Sequence, residues 1–204
     1  CDIPTTWDEL QDVAARLTTP EHVGLTFSPE YVRVGAFMAQ AGGSLTSADG
    51  TEATVHSPEN LAGLTFVKEL LTSGDAAYSS DLGAGWGGEA FGSGKAAMTV
   101  EGNWIAGALS ADYPDVEYTV AQLPEGPGGP GTLQFSNCWG IAADSPNQEA
   151  ALALVEHLTS TEQQLAFADA FGVMPSVQSA ADQWKDANPD MAAFLDSADD
   201  ALGV

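Results

Sequence analysis

The stretch from Glu89 to Trp104, EAFGSGKAAMTVEGNW, constrains the fold more than any other part of the chain. Gly87 to Phe91 reads as a short helix closed by a small-residue turn, because Gly92 and Gly94 accept the positive φ that ends a helix. Ala96 to Val100 is a brief apolar run with β-branched residues at its end, which predicts a strand. Glu101-Gly102-Asn103 breaks that strand, and a helical pattern begins at Trp104. In open α/β sheets, ligands sit beyond the carboxyl ends of strands, where a helix N-terminus offers free N–H groups to polar oxygens. Trp104 stands at that mouth.

The charge balance removes whole classes of partner. Asp and Glu number 29 against 5 Lys and Arg, a formal net charge of -24. Such a surface repels phosphate backbones and anionic headgroups, so nucleic-acid binding and electrostatic membrane binding are both disfavoured. A solvated exterior suited to a salty or extracellular medium explains the acidity more simply than an acidic binding face. With 204 residues, 44% of them hydrophobic, the chain is long enough for one sizeable core, or for one domain plus part of another. No apolar run approaches the roughly 18 to 20 residues of a membrane span, and no basic and apolar leader stands at the start.

In chain order, Thr6-Trp7-Asp8-Glu9 is a capping box, with Trp7, Leu10, Ala14 and Leu17 at helical spacing, so Trp7 is expected in the core. Val23 to Phe27 reads as a strand, and Ser28-Pro29 as the N-cap and first residue of a helix that buries Val34, Phe37, Met38 and Ala41. Residues 43 to 56 suggest a polar hairpin or loop turning at Asp49-Gly50, with a short edge strand at Ala53 to Val55. Ser57-Pro58 opens a helix with Leu61, Leu64, Val67 and Leu71 on its apolar face, ended by Gly74. Trp86 is the one large side chain in a glycine-rich loop, either tucked back on the domain or offered to a ligand. Val116 to Ala121 is expected as a strand, Pro124 to Gly131 as a loop and Thr132 to Ala143 as extended chain. Ser145 to Gln148 and Ser160 to Gln163 cap two helices, the first burying Ala151, Leu154, Val155 and Leu158. Two short helices split near Asn188-Pro189 complete the pattern.

Catalytic signatures are weak. Gly83 to Gly88 has the spacing of a dinucleotide fingerprint without the buried strand it needs. Gly94-Lys95 lacks both the first glycine and the hydroxyl residue of a phosphate loop. His22, His56 and His157 stand apart, with no metal-binding spacing and no serine elbow, and no cofactor is implied. Paired carboxylates arise by chance among 29 acids, so they discriminate nothing.

The run Glu89 to Trp104 resembles the signature of the extracellular solute-binding proteins of ABC-type sugar importers, the maltose-binding-protein-like family. Pro4 to Leu10, Ala41-Gly42-Gly43 and Ala143 to Asn147 resemble further segments of that family in the same order. The resemblance covers most of the chain and falls mainly on the family's second lobe. It implies an α/β periplasmic-binding-protein-like lobe, a small mixed sheet flanked by helices, with a returning segment of the other lobe. Residues 1–134 would form the second lobe core, 135–177 the interlobe crossing strand and helices that pack on the first lobe, and 178–204 truncated return helices. A signal peptide and a leading lobe are expected upstream. Localisation is then extracellular or periplasmic, with the full-length form anchored as a lipoprotein. Cys1 itself reads as a boundary of the piece, since Asp2-Ile3-Pro4 leads straight into a helix rather than into a flexible linker.

The resemblance also implies a sugar ligand, membrane subunits of an ABC transporter as partners, and a monomer. A pyranose offers a flat face of C–H groups and a rim of hydroxyls, which calls for an aromatic platform with donors and acceptors around it. Trp104 is the candidate platform, with Glu101, Asn103, Glu30 and Tyr31 as the rim and Asn137, Trp139 and Trp86 as further contacts. Glu101 and Asn103 also suit a plain turn, and Glu30 a favourable charge at a helix start. By the same resemblance Cys1 and Cys138 come near the hinge, where a disulfide or two separate thiols are both open. The alternatives to a transport role are a carbohydrate-active enzyme fragment and a non-catalytic protein-interaction module.

Overall fold

The computed structural model describes residues 2–203. Helix α1 (Trp7–Leu17) starts where the Thr6 hydroxyl accepts the Glu9 amide at 3.3 Å. The Glu9 carboxylate reaches back to Thr5, accepting from its N–H at 2.7 Å and its hydroxyl at 2.8 Å, so the capping box closes on Thr5 rather than on Thr6. Strand β1 (Val23–Phe27) follows and packs on α1 through Gly24. A Cβ at Gly24 would stand 2.0 Å from the Ala14 carbonyl oxygen, so only glycine permits that approach.

Helix α2 (Tyr31–Gln40) begins at Glu30, later than the Ser28-Pro29 start suggested by sequence. Pro29 holds the preceding residue extended, and buried Ser28 faces the Ser79 hydroxyl at 3.4 Å instead of capping. The hairpin forms around Gly50, with its φ of 70°, but the edge strand at Ala53 to Val55 reduces to an isolated Thr46–Ala53 bridge. The reason is local: the Thr54 and Val55 carbonyls accept from the Asn60 amide, at 2.9 and 3.2 Å, and not from a partner strand.

Helix α3 (Pro58–Ser73) starts at Ser57, which accepts the Asn60 amide, and stops at Gly74 with φ 85°. Its buried line is Asn60, Gly63, Phe66, Val67 and Leu70. Leu61 and Leu64, expected inside, are 65% and 43% exposed. Gly63 explains the rotation: its missing side chain lets α3 lie on the α2 backbone, a Cβ there falling 2.6 Å from both Met38 Cα and the Phe37 oxygen.

Strands β2 (Ala76–Tyr78) and β3 (Ala96–Thr99) flank β1 in the order β2-β1-β3, with α4 (Gly87–Gly92) between them in sequence and α5 (Ile105–Asp112) after β3. Leu25 pairs with Ala76 on one side and Met98 on the other. Every described ladder is parallel where a mixed sheet is the sequence expectation, because helices, not tight turns, carry the chain between strands. Leu10, Ala14, Leu25, Phe27, Phe37, Phe66, Val67 and Leu70 form the core between the sheet and helices α1 to α3. Burying each large apolar side chain there contributes about 1.5–3 kcal/mol. Trp7 joins this core as expected, stacked on Phe66 at 4.1 Å, its indole N–H donating to Gln40 Oε1 at 2.6 Å.

Beyond α5 the order loosens. Val116 to Ala121 is no strand: it lacks a ladder partner, and Val120 alone is held, against a second apolar cluster. Strand β4 (Thr132–Gln134) lies on α2 and pairs in parallel with β5 (Ala201–Gly203). Four helices lie between them: α6 (Gln148–Leu158), α7 (Thr161–Phe171), α8 (Ala181–Ala187) and α9 (Ala192–Asp196). Ala168, Trp184 and Met191 cluster with Ala106 of α5, tying α7 to α9 to the sheet side. Helix α6 has no fully buried residue, contrary to the expectation for Ala151, Leu154, Val155 and Leu158: Leu154 is exposed and the other three are half-buried, because α7 covers its apolar face only in part.

Candidate functional site

With β1 central, the chain passes from β1 to β2 on one side and then to β3 on the other. The connections leaving β1 and β3 therefore diverge and open a crevice beyond the strand ends. Arg33, in the first turn of α2 after β1, and Glu101, immediately after β3, meet across it at 2.6 Å. Their side chains are 10% and 2% exposed. The Arg33 guanidinium also lies over the Trp104 ring, 5.0 Å from its centroid.

Trp104 precedes α5 and is 36% exposed at the edge of this crevice. Its benzene ring rests on Gly102, where a Cβ would stand 2.2 Å from the ring, so a glycine at that position is a condition of the indole's pose. Phe135 meets the ring edge-on at 6.5 Å. Asn103 is buried beside it, and no side chain caps α5. From this floor a broad cleft extends along Phe135, Asn137 and Trp139 to Gln163, Phe167 and Phe171 of α7. Its volume of about 2260 Å³ exceeds the roughly 300–1,000 Å³ of a formed small-molecule pocket, so it is an open valley rather than a closed site.

The structure thus brings Trp104, Asn103, Glu101, Asn137 and Trp139 to one cleft. Three other residues singled out from sequence lie elsewhere. Glu30 is exposed at the start of α2. Tyr31 folds back over Gly35, a Cβ there falling 2.7 Å from its ring, and burial pushes its phenol pKa up. Trp86 covers Gly88, whose Cβ would stand 2.1 Å from the indole. Cys138 is exposed on the cleft wall, and its suggested pairing falls on Cys1, outside the described residues. No group of His, Cys, Asp or Glu among the described residues is arranged to hold a metal ion.

Arg33 was not legible as a site residue by motif. One signal could have found it: a cation on the buried register of α2, four residues before Phe37, in a chain with only 5 basic residues. Phe135 gave no such signal, since nothing local separates it from the other apolar residues of an extended segment.

A parallel α/β lobe with an aromatic floor beyond its strand ends is the build of a small-molecule-binding protein. A family profile described as bacterial extracellular solute-binding protein matches residues 2–193. The chain belongs to that family. Among curated proteins none matches the sequence. The GacH receptor of Streptomyces glaucescens, solved unliganded and with acarbose and an acarbose homolog, is 26% identical with a TM-score of 0.80, the match covering 100% of this chain and 54% of that one. An ABC transporter solute-binding protein from Thermotoga lettingae, bound with α-D-tagatose, is 25% identical with a TM-score of 0.79, covering 98% and 54%. The sugar-binding protein MalE of Xanthomonas citri, at 21% identity and a TM-score of 0.82 over 100% and 53%, shares the fold. The chain spans about half the length of these structures.

Proposed function

We propose that this chain is the second lobe of a carbohydrate-binding protein serving an ABC importer, capturing an oligosaccharide between two lobes and delivering it to membrane subunits. One observation carries the reading: the part-exposed indole of Trp104 on the cleft floor, with Asn103 beside it and Asn137 and Trp139 along the wall. An apolar sugar face stacks on such a ring while its hydroxyls bond the amides. The sugar-binding relatives support the ligand class. The role is capture and release without turnover, by a monomer in the extracellular or periplasmic space, anchored as a lipoprotein in its full-length form.

Residues 1–134 form the lobe core in this reading, residues 135–177 cross to the other lobe, and residues 178–204 return from it. The exposed apolar side chains within 135–177, among them Trp139, Ile141, Leu152, Leu154, Phe167 and Phe171, support that division, since so many suit contact with another lobe. Affinity then depends on both lobes and on the population of the closed state.

Tryptophan-fluorescence titration of the two-lobed protein with mono- and oligosaccharides tests the proposal. A saturable change without product formation is the expected result, and Trp104→Ala should weaken it by about 2 kcal/mol or more, as for a buried aromatic anchor. Turnover of a glycoside would make the protein an enzyme. Silence towards every sugar would transfer the site to another solute class.

A further inference from the structure

The chain carries 5 cationic side chains, and Arg33 is the one that is buried. Its partner Glu101 is more deeply buried still, and the pair is poorly served by its surroundings: Arg33 Nε, Glu101 Oε1 and the nearby Thr99 Oγ1 have no hydrogen-bond partner among the described residues. Gly87 packs into this cluster, a Cβ there falling 2.7 Å from Thr99 Oγ1 and 2.8 Å from Glu101 Oε1, so the backbone of α4 seals it from one side. A buried ion pair with unsatisfied atoms contributes little net stability, since desolvation offsets its Coulomb attraction. Fold stability therefore does not explain why the pair is there.

Its geometry does. Arg33 Nη2 donates to Glu101 Oε2 at 2.6 Å and Nη1 to the Val32 oxygen at 3.2 Å, which fixes the plane of the guanidinium. That fixed group lies 5.0 Å from the centre of the Trp104 ring, which also rests on the bare Cα of Gly102 and meets Phe135 edge-on. A planar guanidinium stacks on an indole in a defined orientation, which a flexible ammonium does not. Because Arg33 follows β1 and Glu101 follows β3, the same pair also sets the spacing of the two strand ends that frame the crevice.

We propose that Arg33 and Glu101 are positioning residues: Glu101 acts through Arg33, and Arg33 sets the orientation in which Trp104 meets the ligand. Glu101 thus supports the platform from beneath rather than joining its rim. The inference rests on the carbohydrate reading only for the chemistry of what lands on Trp104; the orientation itself is a property of the free protein.

The test isolates the Trp104 signal in the intact protein without ligand, as the near-ultraviolet circular dichroism of each background minus that of the same background carrying Trp104→Phe. In R33M/E101Q the Trp104 band should collapse while the thermal midpoint stays close to the parent's, and R33K should restore part of the band. An unchanged Trp104 band in R33M/E101Q overturns the proposal. Should that double variant fail to fold, an unchanged band in R33K alone overturns it equally, since Lys keeps the charge and loses the plane. Sugar affinity in R33M/E101Q should fall by up to about 30-fold, the equivalent of a desolvated cation–π contact. If the parent binds no carbohydrate, the ligand reading fails while the band still decides whether Arg33 orients Trp104.

Discussion

Helices α2 and α6 carry similar apolar faces and meet opposite fates. In α2, Ala36, Phe37 and Met38 are buried against the sheet and α3, and even Arg33 and Gln40 are taken inside. In α6, Leu152 and Leu154 are 51% and 57% exposed and no residue is buried. Both were readable as amphipathic helices from spacing alone. The difference teaches that periodicity identifies an apolar face but not what covers it; α2 finds its cover within this chain, and α6, with Ala151, Val155 and Leu158 only half-buried, finds part of one.

The sharpest way to break this comparison is truncation on both sides of it. Phe37→Ala should cost about 3–5 kcal/mol in urea unfolding, because Phe37 is fully buried between Phe27, Phe66 and Trp7 and leaves a cavity. Leu154→Ala, at 57% exposure on α6, should stay within about 0.5 kcal/mol in this chain. In the two-lobed protein the same change should cost about 3 kcal/mol if the other lobe covers that face. Equal small costs in both settings would leave the exposed face without its proposed cover.

Gly63→Ala comes next. The added Cβ meets Met38 Cα and the Phe37 oxygen, both backbone, so the α2–α3 contact must open, at a cost of about 1–3 kcal/mol. Leu61→Ala on the neighbouring exposed line should change stability by less than about 0.5 kcal/mol. Reversed magnitudes would restore the face that the leucine spacing suggests. Asn60→Ala should cost about 1–3 kcal/mol, because the Ser44, Thr54 and Val55 carbonyls lose their donor together.

These residues mark how far the sequence could be read. Strands β1 and β3, the start of α3 at Ser57 and its stop at Gly74 were legible because caps and strand runs are local chemistry. The phase of α3 was not, because it is decided by Gly63 meeting a backbone far along the chain, and a leucine pattern does not register the absence of a side chain. The edge strand expected at Ala53 to Val55 does not form, because carbonyls that would have built it are taken by Asn60. At the cleft, Trp104 was legible from the strand-turn-helix signature, and Asn103 with it. Arg33 and Phe135 were not, since each reaches the indole from an element distant in sequence.

The smallest expected effect concerns how the helices begin. Helix α1 is closed by Glu9, whose pKa is lowered from its ordinary value of 4.5 by the Thr5 backbone N–H and then by the Thr5 hydroxyl. Helix α6 starts at Asn147, whose side chain makes no capping hydrogen bond. A lowered pKa means that the folded state releases the Glu9 proton more readily than the unfolded chain does. The stabilisation is therefore complete above the ordinary value and is lost as pH falls through the folded-state pKa. Amide protection in the first turn of α1, taken relative to intrinsic exchange at each pH, should fall across that window, and the first turn of α6 should stay weakly protected throughout it. Thr5→Val removes the hydroxyl and keeps the N–H, so Glu9, followed by NMR titration, should move part of the way back towards 4.5. A full return would assign the effect to the hydroxyl alone, and no movement would assign it to the backbone amide, the first cause.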